Sequence, residues 1–266
     1  MGLTGNSIAF SRKDRSVLKD VNFTATEGRL AGLVGANGSG KTSLLRILAG
    51  VSEDYTGSVR LGPDDMRTIP IASRARRLAY LPQARTLSWD LTVEDVVTLG
   101  RMPHGPGQAR KTCDLVHGVM RELGIDGFAD RPARALSAGE QARVLAARAI
   151  AQNTPVLIAD EPTAGLDPVQ ELKLFSLLRK LALSGKAVVV ASHNLSLAAR
   201  YCDDLVLLRN GEVVAYGKPG DVLTSWGFEQ AFDMRAEYAV VSGVPVVVPL
   251  SPRSHESRGA MLPEPV

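Results

Sequence analysis

The chain has 266 residues, 45% of them hydrophobic and 22% charged, with a net charge of +3. That is enough for one large domain or a core with a lobe, and the charge is too small to argue for a nucleic-acid partner. No stretch approaches the ~20 apolar residues of a membrane-spanning helix, and the opening MGLTGNSIAFSRKDRS lacks the apolar centre of a secretory leader. Cys113 and Cys202 are isolated and read as free thiols in a reducing compartment. The expectation is a cytoplasmic protein that borrows a partner's spans if it works at a membrane.

Residues 1 to 30 alternate in strand fashion (Ile8, Phe10; Val17, Leu18; Val21, Phe23), with Lys13-Asp14-Arg15 as a turn. An apolar strand at 30–34 runs into GANGSGKT, Gly35 to Thr42, and a helix at 41–49 follows. This is the complete phosphate-loop pattern in its strand–loop–helix setting. Gly35, Gly38 and Gly40 let successive amides, including those of Ala36, Asn37 and Ser39, point inward at phosphate oxygens. The helix N-terminus behind the loop, with Ser43 in its first turn, adds positive potential. Lys41 can reach the β- and γ-phosphates, and the Thr42 hydroxyl can ligate Mg²⁺.

Strands follow at 58–61 and 78–81. From about 85 to 153 the periodicity turns helical. Thr92 and Asp95 open a helix at 93–99 as a capping box. A second helix runs over 111–123 with Gly124 past its end, and a third over 138–152. This reads as a helical lobe inserted into an α/β core. Strands at 156–160, 187–192, 205–209 and 212–215, with helices at 169–183 and 195–201, complete a mostly parallel sheet. A short helix at 228–232 precedes a hairpin, 237–241 and 245–248, turning at Ser242-Gly243. Residues 251–266 read as a disordered tail. Residues 1–235 form one domain and 236–250 a β-hairpin extension.

The strand at 156–160 ends in Asp160-Glu161, at the carboxyl edge where α/β sheets bind ligands. Asp160 can hold Mg²⁺ through its water shell, and Glu161 is the natural general base for an attacking water.

With LSAGE (136–140), YLPQ, AGLD and ASHN in this order, the chain resembles an ATP-binding cassette (ABC) ATPase over nearly its whole length. The resemblance implies a P-loop ATPase fold with an N-terminal antiparallel β-subdomain, and ATP and Mg²⁺ as cofactors. It gives Gln83 a role in sensing Mg²⁺ and the attacking water, and His193 a contact to the γ-phosphate. Asp167 falls at the family's D-loop and joins the nucleotide-binding residues that the resemblance implies. Phe10 is the aromatic best placed to stack on adenine, and packing of the β-core explains it equally well. Ser137 and Gly139 would contact ATP held by a second copy, which implies a head-to-tail homodimer.

Three departures stand out: Ala138 for glycine, Glu140 for glutamine, and Asn194 for aspartate after His193. Ala138 would disturb the loop if that position needs a positive φ.

LTVEDVVTLGRMPH (91–104), HNLSLAARYCDDLVLLRNGEVVAYGKPGDVLT (193–224), FDMRAEY and VPVVVPL resemble ATPases of ferric-siderophore, haem and vitamin B12 importers. That subgroup implies polytopic permease subunits docking near residues 83–89 on the cytoplasmic membrane face. It also implies an extracytoplasmic binding protein that delivers cargo. Another cargo, export, and a soluble non-transport cassette remain alternatives. His104 and His117 have no companions at ligand spacing and are not read as a metal site.

Overall fold

The computed structural model describes residues 1–13, 15–83, 90–105, 109–224 and 226–252. Strands β1 (Leu3–Arg12) and β2 (Arg15–Ala25) form a long antiparallel pair, followed by β3 (Leu30–Val34) and α1 (Lys41–Leu48). Next come β4 (Thr56–Leu61), β5 (Asp64–Asp65), α2 (Ile71–Arg77) and β6 (Leu78–Leu81). The lobe holds α3 (Val93–Thr98), α4 (Ala109–Glu122) and α5 (Ala138–Ala151). The core resumes with β7 (Val156–Asp160), α6 (Pro168–Leu183), β8 (Ala187–Ala191), α7 (Leu195–Tyr201), β9 (Asp204–Arg209) and β10 (Glu212–Gly217). After it come α8 (Pro219–Leu223), α9 (Trp226–Phe232), β11 (Met234–Val241) and β12 (Val244–Pro252).

The central sheet has the order β10-β9-β3-β8-β7-β6 and is parallel except for β10. Every residue of β3, β7 and β8 is buried, as expected of parallel strands covered on both faces. Their side chains divide by parity. Leu157, Ala159, Val188 and Val190 enter the core shared with α5, α6, α7 and the lobe. Val156, Ile158, Val189 and Ala191 enter the core shared with α1 and the antiparallel sheet β2-β1-β4-β5. One sheet thus separates two apolar cores, and the phosphate loop emerges at its carboxyl edge.

The expected capping box at Thr92 is present, with Asp95 N–H donating to Thr92 Oγ1 at 3.1 Å and Thr92 N–H to Asp95 Oδ2 at 3.2 Å. Strand β5 and several helical stretches escaped the sequence reading. Helix α2 buries none of its residues, so it has no apolar stripe to read. Leu99–His104 continues from α3 as a 3-10 turn, and α8 is a single short helix behind Pro219.

The C-terminal hairpin is longer than its apolar centre implied. Ser251 and Pro252, assigned from sequence to the tail, extend β12 opposite Arg235 and Met234. Backbone pairing needs no apolar side chain, which is why alternation missed them. The remainder of the proposed tail, 253–266, lies outside the described residues, as do 84–89 of the proposed docking cleft. The hairpin rests on the core through Ala236, Tyr238 and Val247, and Val247 N–H donates to Ser196 Oγ of α7 at 3.2 Å. Among the described residues no helix is long and apolar enough to cross a membrane.

Candidate active site

The loop between β3 and α1 is wound around its own lysine. Lys41 is buried, and its Nζ donates to the carbonyls of Gly35 at 2.8 Å and Ala36 at 3.0 Å. Burial lowers its pKa, and the charges of Glu161 and Asp160 oppose that shift. Gly35 (φ +153°) presses against β9, where an added Cβ would lie 2.2 Å from the Leu208 carbonyl oxygen. Gly35→Ala should therefore destabilise the fold by about 2 kcal/mol or more. Chemical denaturation reads this directly, and an unchanged midpoint would show that the loop can move off β9.

Asn37, Gly38, Gly40, Lys41, Thr42 and Ser43 line a cavity of about 240 Å³ together with Val17, Gln83 and Glu161. The structure thus gathers the phosphate loop, Gln83 and Glu161 in one place. Gly35 and Ala36 sit behind the cavity as acceptors for Lys41, and Ser39 is buried beneath it.

Asp160 ends β7 with no exposed surface. Neither of its carboxylate oxygens makes a well-formed hydrogen bond among the described residues. Burial raises its pKa, while the Thr42 hydroxyl beside it and the Lys41 charge pull the other way. A buried carboxylate without a hydrogen-bond partner among the described residues, beside a threonine hydroxyl and a phosphate cradle, is a hard-oxygen donor set, so the residues fit Mg²⁺. Tyr80 lies on the same sheet face, and burial raises the pKa of its phenol.

Glu161 leaves the strand in a left-handed conformation, φ +49°, which is costly for a side chain other than glycine. The turn aims its carboxylate across the sheet edge. Gln83 Nε2 donates to Glu161 Oε2 at 2.7 Å, and His193 Nε2 contacts Glu161 Oε1. His193 is placed by the end of β8 and the start of α7, where Asn194 is the N-cap.

The other assigned residues lie elsewhere. Ser137 caps α5, accepting from Glu140 N–H at 3.3 Å, while its own N–H donates to Glu140 Oε2 at 2.7 Å. Asp167 caps α6, accepting from Val169 and Gln170 N–H at 3.0 Å each. Neither these two nor Gly139 lines the phosphate cavity of its own chain. A Cβ on Gly139 would come 3.1 Å from the Gly165 carbonyl oxygen, so the LSAGE loop and the AGLD loop touch. Phe10 is opposite Leu18 in β1, half-buried on the antiparallel core and outside the phosphate cavity.

The sequence reading missed Val17 in the cavity wall. It also missed Arg12, Arg15, Ser16 and Asn210, which with Val17 and Gly38 line an adjoining hollow of about 520 Å³. The signal was available: Arg12, Lys13, Arg15 and Lys19 crowd a hairpin tip.

The three departures have local explanations. Ala138 is the first residue of α5 and is not among the positive-φ residues, so the methyl group causes no backbone strain there. Glu140 completes the capping box, and hydrogen bonds from Ser137 hold its carboxyl below the usual range. Asn194 caps α7 through Oδ1, accepting from Leu197 N–H at 3.1 Å, and donates from Nδ2 to Glu171 Oε2 at 3.0 Å. An aspartate could make the first contact and would repel Glu171 in the second. Asn194→Asp should cost about 0.5–1.5 kcal/mol at neutral pH. A melting temperature equal to the parent's would remove that explanation. His104 and His117 have structural partners: His104 Nε2 meets the Gln152 carbonyl at 2.7 Å, and His117 Nε2 meets Glu94 Oε1 at 3.0 Å.

Residues 18–164 match the sequence model of the ABC transporter family. The chain belongs to that family. The cassette is 41% identical to the cobalamin import ATP-binding protein BtuD of Halobacterium salinarum, over 90% of this chain and 61% of that protein. It therefore spans about three fifths of that relative's length. It is 38% identical to the hemin import ATP-binding protein HmuV of Bordetella pertussis, over 89% of this chain and 94% of that one. Its fold matches a bacterial ABC transporter cassette solved as a dimer, with a TM-score of 0.73 at 26% identity, over 82% of this chain and 98% of that one. The α/β core, antiparallel subdomain and helical lobe expected from the resemblance are all present.

Proposed function

We propose that this cassette is the ATP-hydrolysing subunit of an importer for an iron-siderophore, haem or cobalamin-type chelate. Two copies pair head to tail beneath polytopic permease subunits on the cytoplasmic membrane face, and an extracytoplasmic binding protein delivers the cargo. The observation that carries the ATPase reading is the meeting of Lys41, Thr42, Gln83 and Glu161 around one small cavity, with Asp160 buried beside it. The names of the relatives, for cobalamin and hemin import, favour the cargo class.

Loop amides and Lys41 bind the phosphates. Mg²⁺, held by Thr42 and Asp160, would neutralise charge on the β- and γ-phosphates. Glu161 takes a proton from the attacking water once its carboxylate is released from Gln83 and His193. His193 is then free to turn toward the γ-phosphate. Ser137 and Gly139, remote from the phosphate cavity of their own chain, complete the site of the second copy, so closure requires ATP between two cassettes.

The test is capture of tagged Glu161→Gln protein with ATP from gently solubilised membranes. Recovery of a polytopic subunit encoded beside a chelate-binding protein supports the importer. A permease encoded beside a different cargo protein redirects the cargo. Recovery from the soluble fraction alone moves the reading to a non-transport cassette.

A further inference from the structure

The LGRMPH stretch takes no part in the nucleotide cavity, yet it is bonded closely to the helix behind LSAGE. Arg101 Nη1 donates to the carbonyls of Ala151 at 3.0 Å and Gln152 at 2.9 Å. His104 Nε2 meets the same Gln152 oxygen at 2.7 Å. Gly100 packs so closely that a Cβ there would lie 2.2 Å from the Arg148 carbonyl oxygen. The last carbonyls of a helix have no partner within it and carry negative potential. Here a cation and an imidazole supply the partners for the C-terminus of α5.

Gln152 itself reaches the other way. Its Nε2 donates to the carbonyl of Ala75 in α2 at 2.6 Å and to that of Leu78, the first residue of β6, at 3.1 Å. Strand β6 runs to Leu81, and Gln83, two residues on, holds Glu161. One residue therefore joins three parts: the end of α5, the LGRMPH turn, and the strand that leads to Gln83.

We propose that Arg101, His104 and Gln152 are positioning residues that deliver movement of α5 to Gln83 and through it to Glu161. The proposal rests on the ATPase reading above. Helix α5 is an unbroken 14-residue rod, about 21 Å long. Its N-cap, Ser137, lies at the end expected to meet ATP of a second copy. A rod displaced at that end must tilt or slide at the other, and the other end is bonded to β6. Among the described strands β6 pairs with β7 alone and is an edge of the sheet, so one of its flanks is free to yield. The linkage gives the LGRMPH turn a purpose beyond capping: it fixes the backbone of Gln152 so that the side chain can pull.

Hydrogen exchange of the full chain, with and without ATP and Mg²⁺, tests this in the Glu161→Gln background. In that protein ATP should slow exchange over both 136–142 and 78–83. Adding Gln152→Ala should preserve the response over 136–142 and shrink that over 78–83 by about fivefold or more. ATP affinity should stay within about threefold of the Glu161→Gln protein. A junction that only stabilises the fold would lower the melting temperature and leave both responses in step, which overturns the proposal. If Gln152→Ala fails to fold, His104→Ala at the exposed side of the junction should give the same divergence, about twofold in size. Bound ATP with no response at either segment in Glu161→Gln itself would overturn the closure step of the proposed function, and this linkage with it.

Discussion

Glu161→Gln is expected to lower ATP turnover by a hundredfold or more, about the range that removal of a general base produces, while ATP remains bound. The substitution keeps the shape of the side chain and takes away its affinity for a proton. It also changes the contacts that hold the residue at rest. The carboxylate now accepts from Gln83 at 2.7 Å and meets His193 on its other oxygen; an amide can still accept on one oxygen but presents N–H groups on the other side. Binding is spared because the cradle for the phosphates is built by the loop and Lys41, whose Nζ is held by the carbonyls of Gly35 and Ala36. The expected state is a long-lived ATP-bound pair, seen as a dimer by size-exclusion chromatography with light scattering. Phosphate release at the parent rate would show that another group takes the proton.

Lys41→Ala should act one step earlier, on binding. Charge-assisted hydrogen bonds contribute about 1.5–3 kcal/mol each, so loss of the ammonium should weaken ATP by roughly a hundredfold or more. The structure adds a second cost. Lys41 bridges the carbonyls of Gly35 and Ala36, and without it those acceptors face a gap inside a tight loop. The variant should therefore show weak binding of fluorescent ATP and faster hydrogen exchange over residues 35–40. Parent-like affinity would place the binding energy in the loop amides alone. The two variants separate cleanly, since one binds without turnover and the other does not bind.

Much of this was legible in the residues because the informative positions are governed by local rules. GANGSGKT carries its glycines and lysine at fixed spacing, and β3, β8 and β7 up to Asp160 are unbroken apolar runs. The capping box at Thr92 is written in two residues three positions apart. What stayed hidden depends on contacts across the chain. Val17 and Arg15 reach the phosphate cavity or its rim only because the β1–β2 hairpin folds over it. Gln152 looks like an ordinary polar helix end until Ala75 and Leu78 are brought beneath it. Asn194 reads as a departure until Glu171 is seen opposite its amide.

The double hold on Glu161 makes the cassette a conjunction gate. Gln83 comes from one element and His193 from another, and under the proposed function both contacts must open before the carboxylate takes a proton from water. If each contact costs about 1.5–3 kcal/mol to open, each is open roughly one time in ten to one in a hundred. Both are open together only about one time in a hundred to one in ten thousand. Under the proposed function an uncoupled cassette would therefore turn over ATP slowly, because accidental firing would scale with the product of two small fractions and not with either one.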